Sequence, residues 1–115
     1  MNLIDKQKLF PKLLCKLYAF LEEYGYEFTL GEAWRAPETA KKYAETGKGI
    51  ENSLHCLRLA QDICLFKDKK YLTITSQYAH AGEFWEGLST KDYECAWGGR
   101  FKDGNHFSIE HNGVR

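Results

Sequence analysis

A single carboxylate constrains this chain more than any other feature. From Leu57 to Phe66 the sequence is dense in Leu, Ile and Cys, a composition that reads as a buried strand, yet Asp62 sits inside it between Gln61 and Ile63. An ionised carboxylate taken out of water is costly unless it is paired or bound to a metal. The fold must therefore bring Asp62 a base or a cation.

Two further segments hold the groups that could do so. Ser53-Leu54-His55 places an imidazole seven positions before Asp62, where it opens the same strand, and Asp103-Gly104-Asn105-His106 places a second one ahead of Phe107. Two imidazoles and one carboxylate form a donor set suited to Zn²⁺, and three protein ligands leave a fourth position open for water. Asp103, three residues before His106, can point beside such an ion without binding it and serve as a base. On spacing alone a second reading stays open. His55 and His106 could be ordinary core or surface histidines, with Asp62 paired to Arg58 or another base.

The rest of the chain frames these segments. Apolar positions Leu9, Phe10, Leu13, Leu14, Leu17, Tyr18, Leu21 and Tyr24 recur with helical period, with Pro11 expected in or near the first turn, or else kinking the helix, and Gly25 as the stop. Tyr26 to Trp34 reads as a strand. Pro37 opens a short helix that Gly47 closes, and Lys48 to Ser53 is a loop. Asp68, Lys69 and Lys70 turn the buried strand into a hairpin partner, Tyr71 to Ile74. Ser76 caps a third helix with Tyr78, Ala81, Phe84, Trp85 and Leu88 on one side, and the glycine-rich end carries a short strand around His106 to Glu110. Helices mixed with antiparallel strands, and no regular βαβ alternation, give an α+β fold: a small antiparallel sheet with flanking helices.

Composition removes several function classes. The 115 residues suit one domain, residues 1–115. Lys plus Arg and Asp plus Glu are 16 each, so the net charge is zero and a strongly basic nucleic-acid binder is disfavoured. The longest run free of Asp, Glu, Lys and Arg is the 12 residues Tyr71 to Gly82, too short and too polar to span a membrane. The N-terminus has no signal-peptide pattern, so a cytosolic chain is expected. Cys15, Cys56, Cys64 and Cys95 lack CxxC spacing and read as buried thiols. His80 and His111 read as surface residues.

The motifs, taken together, resemble a known family. Ser53-x-His55, Ala60-x-Asp62, Trp97-Gly98-Gly99 and Asp103-x-x-His106-Phe107 look like the zinc D-Ala-D-Ala carboxypeptidase / L-alanyl-D-glutamate peptidase family. That family includes phage endolysins and vancomycin-resistance carboxypeptidases and shares its fold with the hedgehog signalling domain. Gly31-Glu32-Ala33-Trp34-Arg35 is similar to the family strand that ends in arginine. The resemblance implies His55, Asp62 and His106 as ligands to one zinc ion and Asp103 as the catalytic base. It implies Arg35 facing the scissile carbonyl or a substrate carboxylate, and Ser53 and Trp97 near substrate.

It further implies a monomeric zinc metallopeptidase acting on peptidoglycan stem peptides at an L-Ala-D-Glu or D-Ala-containing bond. The expected setting is a phage endolysin made in the host cytoplasm and acting at the wall after release. Two alternatives are a cytosolic D-Ala-D-Ala dipeptidase or carboxypeptidase, and a non-catalytic, zinc-stabilised domain that binds wall peptide. The sequence departs from many relatives at Arg58, where they carry glycine three positions after the first histidine; we expect this side chain to face solvent.

Overall fold

A computed structural model describes residues 1–115. It contains helices α1 (Leu3–Glu23), α2 (Pro37–Glu45) and α3 (Ala79–Glu86), and strands β1 (Glu27–Leu30), β2 (Ala60–Lys67), β3 (Lys70–Tyr71), β4 (Cys95–Trp97) and β5 (His106–Ile109). The five strands form one antiparallel sheet in the order β1-β2-β5-β4, with β3 also paired to β2. This is the expected α+β architecture. No helix is long and apolar enough to cross a membrane.

The two faces of the sheet differ in kind, because successive residues of a strand point to opposite sides. Ile63, Leu65, Phe107 and Ile109 are fully buried on the face that packs under α1 and α3. There they meet Leu13, Leu17 and Leu21 of α1 and Trp85 of α3 in a cluster of 17 buried residues. The Trp85 ring stands edge-on to Phe10 and Phe107, and its Nε1 donates to the Ser108 carbonyl at 2.9 Å. Asp62 and His106 occupy the opposite face. They are direct register partners across β2 and β5, so the strand that builds the core also delivers the carboxylate to the surface.

Several elements depart from the sequence reading. α1 begins at Leu3, where the Asn2 side chain accepts from the Asp5 amide at 2.9 Å. Pro11 therefore lies in the helix interior and not in its first turn. β1 ends at Leu30, although Gly31 and Glu32 still bond across to Asp62 through the Gly31 amide to the Asp62 carbonyl and the Asp62 amide to the Glu32 carbonyl, both 2.8 Å. His55 does not open β2. It lies on a short 3-10 turn, Leu54–Leu57, that ends at Arg58 with φ 57°. Ser76 does not cap α3. It sits within a 3-10 turn, Thr75–Tyr78, where the Gln77 side chain accepts from the amides of Thr73 and Ile74. β3 stops at Tyr71, and β4 was not expected. Cys15 is exposed, contrary to expectation, whereas Cys95 is buried and burial pushes its thiol up to about 12.

Candidate metal centre

Each group of the centre is placed by a different local device. His55 is set by Ser53, whose Oγ accepts from the His55 amide at 3.1 Å and so starts the 3-10 turn. The His55 Nδ1 lies 2.8 Å from the Ala33 carbonyl. That bond fixes the tautomer and leaves Nε2 as the free lone pair, the usual outer support of a metal-binding imidazole. Asp62 is fixed by strand pairing on both edges of β2. His106 opens β5 from a turn in which its amide bonds to the Asp103 carbonyl at 3.1 Å and the Asp103 amide bonds to the Gly98 carbonyl at 2.8 Å.

These devices converge on one point. Asp62 Oδ1 is 3.2 Å from His55 Nε2 and 3.6 Å from His106 Nδ1. One ligand atom from each of His55, Asp62 and His106 lies within 4.8 Å of the others. The two buried side-chain polar atoms that lack a hydrogen-bond partner, Asp62 Oδ1 and His106 Nε2, both belong to this triad. An orphaned carboxylate oxygen facing two imidazoles is what a pocket shaped around a cation leaves when described by protein atoms alone. The donor set of two nitrogens and one oxygen fits a divalent ion such as zinc. Arg58 does not supply the alternative base. It is exposed, with its guanidinium 5.0 Å from the Trp34 ring centre. Its φ of 57° is in the backbone region glycine favours.

The electrostatics follow from the same contacts. Burial alone would raise the Asp62 pKa, but His106 and His55 outweigh it and bring the carboxyl down to about 2. Burial likewise disfavours a charged His55, yet the Asp62 carboxylate prevails and the pKa is raised. Asp103 behaves differently. Its carboxylate Oδ2 is 3.8 Å from His106 Nδ1, close to the triad but at the lip of the cleft, with 52% of its side chain exposed. Partial withdrawal from water and the Asp62 charge raise it, while His106, His55 and Arg35 pull the other way. Water screens much of that shift.

The triad lies in a cleft of about 850 Å³ that Arg35, Ser53, Lys48, Ile50, Lys102 and Asp103 also line. Arg35 is well ordered by its surroundings. Its amide donates to the His55 carbonyl at 3.2 Å, and its Nε donates to Glu32 Oε1 at 2.8 Å. Ser53 lines the cleft, but its hydroxyl is engaged with the His55 turn. Trp97 does not line it. Its ring is 6% exposed, with Nε1 donating to the Gly104 carbonyl at 2.7 Å. Gly82 and Gly99 pass so close that a Cβ on either would fall 2.1 Å from that ring. Trp97 thus props the loop from Gly98 to Asn105 from beneath. Glu32 and Ala33 were not singled out for the site, because a carbonyl and an i,i+3 acid carry no sequence signal of their own.

Fold and site together define an α+β sheet that gathers a His-Asp-His group able to hold a metal ion at the floor of an open cleft. The structure is similar to that of the Serratia marcescens L-Ala D-Glu endopeptidase ChiX, with a TM-score of 0.63 and 20% sequence identity over 87% of this chain and 79% of that one. No protein-family model and no curated protein matches the sequence.

Proposed function

We propose that the chain is a single-domain, monomeric zinc metallopeptidase that hydrolyses peptidoglycan stem peptides, with an L-Ala-D-Glu bond as the favoured target. The observation that carries the reading is the convergence of His55, Asp62 and His106 within 4.8 Å beside a carboxylate, Asp103, that is not one of the three. A structural metal site has no use for that fourth group. The fold shared with an L-Ala D-Glu endopeptidase supports the substrate class, and a cleft of about 850 Å³ has room for a peptide longer than D-Ala-D-Ala.

In this reading His55, Asp62 and His106 hold the ion. Zinc bound there would make water acidic and polarise the scissile carbonyl. Asp103 takes a proton from the attacking water and gives it to the leaving nitrogen, and its position 3.8 Å from His106 keeps it within reach of both. Arg35, clamped at the cleft wall, donates N–H groups to the oxygen that gains charge. Ser53 orients His55, acting through it. The setting that fits is a phage endolysin, made in the host cytoplasm and acting at the wall after release.

The test is digestion of purified sacculi by zinc-loaded protein, followed by mass spectrometry of the muropeptides. New amino groups at one stem-peptide bond, absent with Asp103→Ala, are the expected result. Equal and negligible release by both proteins would refute the reading, and cleavage of free D-Ala-D-Ala alone would replace it with a dipeptidase.

A further inference from the structure

Arg35 is held by a residue outside the triad. One oxygen of Glu32, Oε1, accepts from both Nε and Nη2 of Arg35 and also lies 4.0 Å from His55 Nδ1. The opposite restraint is Tyr43, whose ring centre is 5.0 Å from the guanidinium carbon. Only 12% of the Arg35 side chain is exposed, so this is not a freely solvated i,i+3 pair. The guanidinium lines the same cleft as Asp62 and Asp103, and it feels their charges there. Charge-assisted pairing of arginine with carboxylate is strong and often bidentate. A guanidinium released from Glu32 would therefore turn to those two groups. Asp62 is the partner with more to gain, since its Oδ1 is buried without a hydrogen bond. An arginine seated there would compete directly with a cation.

We infer that Glu32 is a positioning residue that holds Arg35 off Asp62 and Asp103. It occupies the Nε edge of the guanidinium, leaves the Asp62 oxygen open to metal, and leaves the remaining Arg35 N–H groups for a substrate carbonyl or carboxylate. The metal half of this inference rests on the candidate centre. The substrate half rests on the proposed peptidase reading.

The two halves are tested separately. Zinc affinity of the full chain is measured by competition with a chromophoric chelator for wild type, Glu32→Gln, Arg35→Met and the double variant. Glu32→Gln keeps the shape but removes the charge that holds the guanidinium. We expect it to weaken zinc binding about tenfold, the scale on which outer partners of metal sites act. In the Arg35→Met background the same change should cost less than about twofold, because no guanidinium remains to intrude. An equal loss in both backgrounds would mean that Glu32 acts only through its own charge, and no loss in either would mean that it does nothing; each outcome overturns the inference. Should Glu32→Gln fail to fold, Glu32→Asp, which keeps the charge and shortens the reach, enters the same cycle, with a loss again confined to the Arg35 background.

The second half is read on sacculi, where Glu32→Gln should lower kcat with KM little changed, and an unchanged kcat counts against it. Absence of cleavage by the wild type would sink the peptidase reading, while the zinc cycle would still decide the role of Glu32.

Discussion

At the residue scale, the Asp62 carboxylate and its two imidazoles set the chemistry of the metal-free protein. Against the cost of burial, His106 and His55 bring the Asp62 pKa down to about 2, and the Asp62 carboxylate raises the His55 pKa above its ordinary 6.5. For a group whose folded pKa is raised, the linked stability is full below the unfolded value and is lost as pH rises through the folded one. The His55 contribution is therefore present below pH 6.5 and disappears above the raised value. Metal binding runs the other way, since an imidazole must lose its proton to ligate. Zinc affinity should fall as pH drops through the His55 pKa, and binding in that window should release protons. Calorimetry in two buffers of different ionisation enthalpy measures that release; a heat independent of buffer would contradict it. Asp103 is predicted to behave unlike the triad. Asp103→Asn should bind zinc within about twofold of wild type and lose about a hundredfold or more in peptide hydrolysis, the scale of a lost general base. Chelator competition and the sacculus assay read the two quantities. A variant that lost metal and turnover together would make Asp103 a ligand instead.

At the element scale, the turn from Gly98 to His106 is the most demanding piece of backbone. A Cβ on Gly98 would fall 2.1 Å from the Asp103 carbonyl oxygen and 2.7 Å from His106 Cβ. Gly98→Ala must push the turn away from β5, and overpacking of this kind costs about 1–3 kcal/mol. Thermal unfolding should report that loss, and zinc titration should show a larger defect than a core change away from the centre that destabilises at least as much, such as Leu17→Ala. Pro11 offers the opposite case. It is exposed in the middle of α1, where proline is worse than alanine by up to about 3 kcal/mol. Pro11→Ala should raise the unfolding temperature and leave zinc affinity unchanged.

These elements also show how far the sequence could be read. The Asp62 carboxylate was conspicuous because its strand is apolar, and Asp103-x-x-His106 was visible as a turn motif. The placement of His55 was not, because the strand pattern runs on through Leu57 and nothing in an arginine announces a left-handed φ at position 58. β4 is three residues long, below the length at which alternation can be recognised. Trp97 looked like a wall of the site because it adjoins two glycines; the structure shows Gly99, with Gly82, making room for its ring, while Gly98 makes room for the Asp103 carbonyl and His106. Glu32 drew no notice of its own in the sequence, since its bearing on the centre depends on contacts made through the fold.

At the scale of the whole molecule, the separation of the two sheet faces decides what a metal can do for stability. Most of the 17-residue apolar cluster lies on the helix side, Leu54 also lines the cleft, and no residue of the triad belongs to the cluster. Domains that depend on a structural zinc lack such a core and unfold without the ion. This chain has a radius of gyration of 13.8 Å, close to the ~13 Å expected of a compact chain of about 100 residues, and its core closes through α1, α3 and the sheet without the centre. We therefore expect the EDTA-treated protein to keep its circular dichroism spectrum and a cooperative unfolding transition. Zinc in excess should then raise the midpoint by mass action alone, about 2.7 kcal/mol at a free concentration one hundred times Kd. His106→Ala should abolish that increment and also lower the metal-free midpoint, because the buried imidazole helps hold Asp62 ionised, while the transition itself stays cooperative. A chain that collapses on chelation would place the ion in a structural role and favour a zinc-stabilised binding domain. A chain that stays folded would have its three candidate ligands preorganised by strand pairing and turn geometry, which would leave a bound ion free for chemistry and not for holding the fold.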